Sequence, residues 1–160
     1  MIQEKVIPQM FVASSLHYVK CVTDDLIEKF TNDFEKHLME TGAKETEPQN
    51  FLTVFHVDEY TDKDYNMELW IQIEELKKDT DDVQFKSIPE CEVAYILVSE
   101  NYENLRTSYD ALFQYVHDNG YIVNGYPRET YLFDENAPYG YFTEIQLPFS
   151  RKINIERWKI

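Results

Sequence analysis

Two carboxylates stand inside alternating runs that end in strand-like sequence. Glu68 lies in Met67-Glu68-Leu69-Trp70-Ile71-Gln72-Ile73, and Glu144 in Phe142-Thr143-Glu144-Ile145-Gln146-Leu147. Alternation with a period of two sends Leu69, Ile71 and Ile73 to one face and Glu68, Trp70 and Gln72 to the other. In the second run Ile145 and Leu147 take the core face, opposite Phe142, Glu144 and Gln146. A face that mixes large rings, a carboxylate and amides suits a flat organic cation. The rings stack on it, and a partly desolvated carboxylate holds its charge. The polar outer face of an ordinary sheet accounts for the glutamates and glutamines but not for Trp70 and Phe142.

Other chemistries find no support in residue spacing. His17, His37, His56 and His117 are scattered with no HxxxH or HxH pattern, so no metal site is expected. Ser14 and Ser15 lack a nucleophile elbow. The four glycines form neither a GxGxxG nor a P-loop pattern, and no cofactor is expected. Asp79, Asp81 and Asp82 lack the glycine and closing glutamate of an EF-hand loop. Cys21 and Cys91 sit in apolar stretches, in no ligand spacing, as reduced thiols would.

The bulk composition narrows the partners. Thirty acidic residues against fifteen basic ones leave a net charge of -15. That surface repels phosphate backbones and anionic membranes, so direct nucleic-acid or membrane binding is not expected, and cations are steered toward it. Two Trp, twelve Tyr and ten Phe exceed what a core of this size requires, which leaves tyrosines over for a surface that is apolar on one side and wet on the other. Without a signal sequence or an apolar run of membrane length, the chain reads as cytoplasmic.

The elements that must position these residues recur. A strand over Met10–Val19 precedes a helix capped by Thr23 or Asp24, with Leu26, Ile27, Phe30, Phe34 and Leu38 at helical spacing and Gly42 as its stop. Strands over Phe51–Val57 and Met67–Ile73 follow. An acidic stretch reads as a linker over 76–90. The order then returns as a strand over Cys91–Val98, a helix over Tyr102–Asn119 ended by Gly120, and strands over Arg128–Phe133 and Tyr141–Leu147. The expected fold is therefore α+β in one domain over 1–160: a duplicated β-α-β-β unit with pseudo-twofold symmetry, mainly antiparallel, with one helix per half on the outer face of a sheet and a central cleft. Repeat one spans about 10–75 and repeat two 91–149. The tail, 150–160, matches neither and either adds an edge strand or docks on the surface. Short matches (Phe55 to Glu59 with Tyr131 to Glu135, Trp70 to Ile73 with Glu144 to Leu147) support the duplication. They make Trp70 and Glu144 equivalent, facing each other across the cleft.

The run from Asn119 to Phe149 resembles the GyrI-like (gyrase-inhibitor-like) small-molecule-binding family, whose domain serves as effector-binding module in bacterial drug-responsive transcription regulators. The likeness rests on His117-Asp118-Asn119-Gly120-Tyr121, on the turn Gly125-Tyr126-Pro127-Arg128-Glu129, on the strand with Tyr131, and on Thr143-Glu144-Ile145-Gln146-Leu147-Pro148. It implies a cleft for lipophilic cations, with the family's buried glutamate at Glu144 and cleft rings at Trp70, Phe142 and Tyr131. Glu68 and Gln146 complete the expected ligand-binding set. The first strand begins within a dozen residues of Met1, which implies a version without the regulators' helix-turn-helix domain. The expected function is binding of amphipathic, cationic aromatic compounds for sequestration or sensing. Two alternatives stay open: a hydrolase of electrophilic natural products that uses Glu144 and Trp70, and a modulator of gyrase or another protein partner.

Overall fold

The computed structural model describes residues 1–99 and 105–151. Its elements are β1 (Gln3–Ile7), β2 (Met10–Cys21), α1 (Asp24–Thr41), β3 (Phe51–Phe55), β4 (Lys63–Ile73), β5 (Gln84–Ile88), β6 (Cys91–Val98), α2 (Leu105–Asp118), β7 (Ile122–Val123), β8 (Arg128–Phe133) and β9 (Tyr141–Ser150). All strand pairs are antiparallel, in the order β1-β6-β9-β8-β3-β4-β2-β5, with β7 on β9. The sheet curls into a half-barrel with both helices on one face, the expected α+β architecture.

Local sequence accounts for the helix ends. Thr23, extended at φ -137°, accepts from the Leu26 amide at 3.2 Å and caps α1. Gly42 closes it at φ 72°, a left-handed conformation that glycine adopts without a Cβ clash. Each helix buries one stripe. Phe34 and Leu38 of α1 pack on Leu69, Ile71 and Ile73 of β4. Tyr109, Leu112 and Val116 of α2 pack on Ile145, Leu147 and Phe149 of β9. These strand residues lie on the helix face, as their alternation requires.

The sheet order reads the same from both ends once the halves are exchanged. β2, β4 and β3 of the first half mirror β6, β9 and β8 of the second, and the outer strands are swapped. β1 leads into β2 but pairs with β6; β5 leads into β6 but pairs with β2. The stretch expected as a linker over 76–90 therefore contains a strand, and β1 adds another ahead of the first repeat. Both are short edge strands carrying lysine, a composition that blunts edges and obscures them in sequence. Two matching connections, Ile7-Pro8-Gln9-Met10 and Ile88-Pro89-Glu90-Cys91, carry the chain across the swap. The region expected to form a tail begins inside β9, and residues 152–160, Trp158 among them, lie outside those described.

The central strands fix the equivalences. Thr53 pairs with Glu129 in the β3–β8 ladder. Thr53 also pairs with Leu69, and Glu129 with Ile145. Glu68 is thus equivalent to Glu144, and Trp70 to Gln146. This shifts by two residues the pairing of Trp70 with Glu144 expected from the short sequence matches.

Candidate functional site

The two faces of the sheet hold different chemistry. On the face without helices, Met10, Val12, Leu52, Val54 and Trp70 form an apolar cluster. A polar network lies beside it. Lys5 contacts Glu144 Oε1 at 2.7 Å, and Gln146 Nε2 donates to Glu144 Oε2 at 2.5 Å. In the equivalent place, Lys86 and His56 pair with Glu68, to which Trp70 Nε1 donates at 3.2 Å. Lys5 and Lys86 come from the two swapped strands, so the duplication extends to its ion pairs. Arg128 joins the halves: Nε donates to Gln146 Oε1 at 2.8 Å, and the guanidinium lies 5.6 Å from the Trp70 ring centre. Burial pushes the Glu68 carboxyl up, but hydrogen bonds from Lys86, His56 and Trp70 outweigh it and hold the group below its ordinary value.

The cavity lies on the other face, between the helices and above β3, β4 and β8. It encloses about 530 Å³, within the range of small-molecule pockets. Thr53 and Glu129 form its floor at the pseudo-twofold centre. Phe55, Tyr65 and Met67 form one wall, and Tyr109 and Tyr131 the other. The start of α1, with Thr23, Asp24 and Ile27, and the β3–β4 loop, with Tyr60, Thr61 and Asp62, shape the rim. Arg106 stands over the Tyr60 ring at 4.8 Å.

Glu129 is the chemically distinctive group. Tyr109 Oη donates to its Oε2 at 2.5 Å, and Tyr131 Oη to its Oε1 at 3.4 Å. Thr53 Oγ1 lies 3.0 Å from Tyr131 Oη, which extends the chain of hydroxyls. No described cation lies within ion-pair distance of Glu129, in contrast to Glu68 and Glu144. Burial pushes its carboxyl above the usual range, against the pull of the Tyr109 and Tyr131 hydrogen bonds. The Tyr109 phenol is itself pushed well up, by burial and by the charge of Glu129.

Of the six residues expected to bind ligand, Tyr131 alone lines this cavity. Glu144, Gln146, Glu68 and Trp70 fill the opposite face, where the glutamates already hold lysine partners. Phe142 pairs with Leu132 on that same face. Glu129, Tyr109, Tyr60, Tyr65 and Phe55 are the additions. Among the described residues no group of three or more His, Cys, Asp or Glu is placed to hold a metal ion. No described helix is long and apolar enough to cross a membrane.

The fold has solved relatives. The C-terminal domain of EcmrR superposes with a TM-score of 0.81 at 26% identity, covering 95% of this chain and 98% of that one. EcmrR in its DNA complex gives 0.82 at 26%; the chain covers 58% of that protein, so DNA binding there belongs to a longer molecule. A hydrolase from Listeria innocua matches with a TM-score of 0.56 at 12% identity over 93% of this chain and 91% of that one, a likeness of fold alone. No curated protein sequence matches the chain significantly. The model of the GyrI-like small molecule binding domain matches residues 1–150, and the chain belongs to that family.

Proposed function

We propose that the protein binds amphipathic aromatic cations in the cavity above Thr53 and Glu129, for sequestration or sensing. One observation carries the reading: among the described residues the cavity lining contains three carboxylates (Asp24, Asp62 and Glu129) and no lysine, arginine or histidine, with Arg106 outside it over the Tyr60 ring. An anionic, apolar cavity of this kind disfavours anions and leaves a buried carboxylate without a cationic partner among the described residues. A ligand cation supplies that partner, and the rings of Phe55, Tyr60, Tyr65, Tyr109 and Tyr131 supply stacking area. Apolar burial contributes on the order of 25 cal/mol per Å² and sets most of the affinity, while Glu129 sets the preference for positive charge.

Calorimetric titration of the protein with tetraphenylphosphonium, neutral triphenylphosphine oxide and anionic tetraphenylborate tests this. The expected order of affinity is cation, neutral compound, anion. Equal affinity for the three, or preference for the anion, contradicts the reading.

A further inference from the structure

We infer that the site is bipartite: an open aromatic shelf formed by Tyr131, Tyr141 and Phe133 receives the far ring of an elongated ligand whose charge lies at Glu129. The inference rests on the cavity being a cation site and adds the shape of the ligand.

The duplication supplies the argument. Phe55 pairs with Met67 and Tyr131 with Thr143, so Phe55 is equivalent to Tyr131, and Tyr65 to Tyr141. The equivalent rings also pack alike: Phe55 and Tyr65 have centres 5.9 Å apart, and Tyr131 and Tyr141 6.1 Å. The first pair lies within the cavity, where the Tyr60 and Tyr109 rings, 5.6 Å apart, also stand. Of the second pair, Tyr131 lines the cavity and Tyr141 lies outside its lining. Tyr141 is 41% exposed, and Phe133, its partner in the β8–β9 ladder, is 88% exposed. Among the described residues, the duplicated aromatic site is thus lined on the first half and exposed at Tyr141 and Phe133 on the second.

Tyr131 connects the halves. Its hydroxyl reaches Thr53 and Glu129 inside the cavity, while its ring packs near Tyr141 and, at 6.2 Å, near Phe51. The shelf is therefore continuous with the cavity. Phe133 follows Glu129 by four residues along β8, a span of roughly 13 Å at the usual strand rise. Asp134 and Glu135 follow directly and keep the shelf's surroundings anionic. These features fit a molecule with one cationic centre, a ring in the cavity, and a second ring about 13 Å from the charge.

The test uses two probes: benzyltrimethylammonium, and an elongated analogue with a second phenyl ring about 13 Å from its nitrogen. Titrations compare the intact protein with Phe133→Ser, Tyr141→Ser and Glu129→Gln, with thermal melts as a control for folding. The elongated probe is expected to bind more tightly than the compact one. Phe133→Ser should weaken the elongated probe about fivefold, the factor for one ring contact, and leave the compact probe unchanged. Glu129→Gln should weaken both. If Phe133→Ser and Tyr141→Ser leave the elongated probe unaffected while Glu129→Gln weakens both, the shelf is overturned and the cavity reading stands. A Phe133→Ser change that shifts only the oligomeric state in light scattering also overturns it, by making the shelf a protein contact. If neither probe responds to Glu129→Gln, the cavity reading fails and the bipartite site falls with it.

Discussion

Tyr109 on α2 donates its phenol proton to Glu129 on β8 at 2.5 Å, and among the described residues no cation joins them. The fold thus holds a buried carboxylate on phenol hydrogen bonds, which cost less to desolvate than an ion pair but neutralise less charge.

The first consequence concerns the empty protein. Glu129 is shifted upward, so the folded state binds its proton more tightly than the unfolded chain does. Its contribution to stability is fully present below the ordinary glutamate value and is lost as the pH rises through the higher folded value. Glu129→Gln removes this loss and should raise the melting temperature at pH 7 to 8 without ligand. A gain of about 1 kcal/mol corresponds to roughly 2 to 4 °C for a domain of this size. Melting curves across pH 4 to 8 should show a smaller pH-dependent fall in the variant.

Ligand binding carries the opposite sign. A cation favours the ionised form of Glu129, so binding should strengthen as the pH rises and release a proton in the range where the empty site is protonated. The Tyr109 hydrogen bond lowers the Glu129 value, so Tyr109→Phe should move the onset of cation binding to higher pH. Titrations in two buffers of different ionisation enthalpy measure the proton released. The same onset in both proteins would show that Tyr109 does not tune the carboxylate.

The ion pairs of the other face predict a stability cycle. Lys86→Met leaves Glu68 buried with His56 and Trp70 but without its lysine, and should destabilise by about 1 to 3 kcal/mol, below the full cost of a broken buried pair because Lys86 is partly exposed. Adding Glu68→Met should recover part of that loss. Glu68 is held below its ordinary value, so its contribution is present above that value and is lost as the pH falls through the folded one. Denaturant melts at pH 7 and pH 4 should show the Lys86→Met penalty shrinking in acid. A double variant less stable than the single would contradict the pair's assignment.

The helices and inner strands were legible in the sequence because their signals are local. Thr23 and Gly42 mark the ends of α1, and alternation sorted Leu69 and Ile145 onto the helix face. β1 and β5 were hidden by length and charge, although the repeated Ile-Pro at Ile7-Pro8 and Ile88-Pro89 was an available signal. Glu129 was hidden for another reason. Arg128-Glu129-Thr130-Tyr131 is polar on both faces, so alternation of apolar residues cannot set its phase. The phase follows only from tertiary pairing, which puts Glu129 opposite Ile145 and so beneath the helices. Trp70 and Glu144, the residues that looked most like a cleft pair, are each engaged within the curled sheet instead: Trp70 donates to Glu68, and Glu144 is held by Lys5 and Gln146.

The most direct test of the account is the response of Glu129→Gln to charge. Tetraphenylphosphonium and neutral triphenylphosphine oxide are titrated into the native protein and the variant at pH 7.5, a chosen value above the ordinary carboxylate range. Glutamine keeps the size of the side chain and an acceptor for Tyr109 but carries no charge. The account predicts that the cation loses roughly 10- to 100-fold in affinity, about 1.4 to 2.8 kcal/mol, while the neutral compound changes little. Equal loss for both compounds, or none for either, would contradict a cation site centred on Glu129.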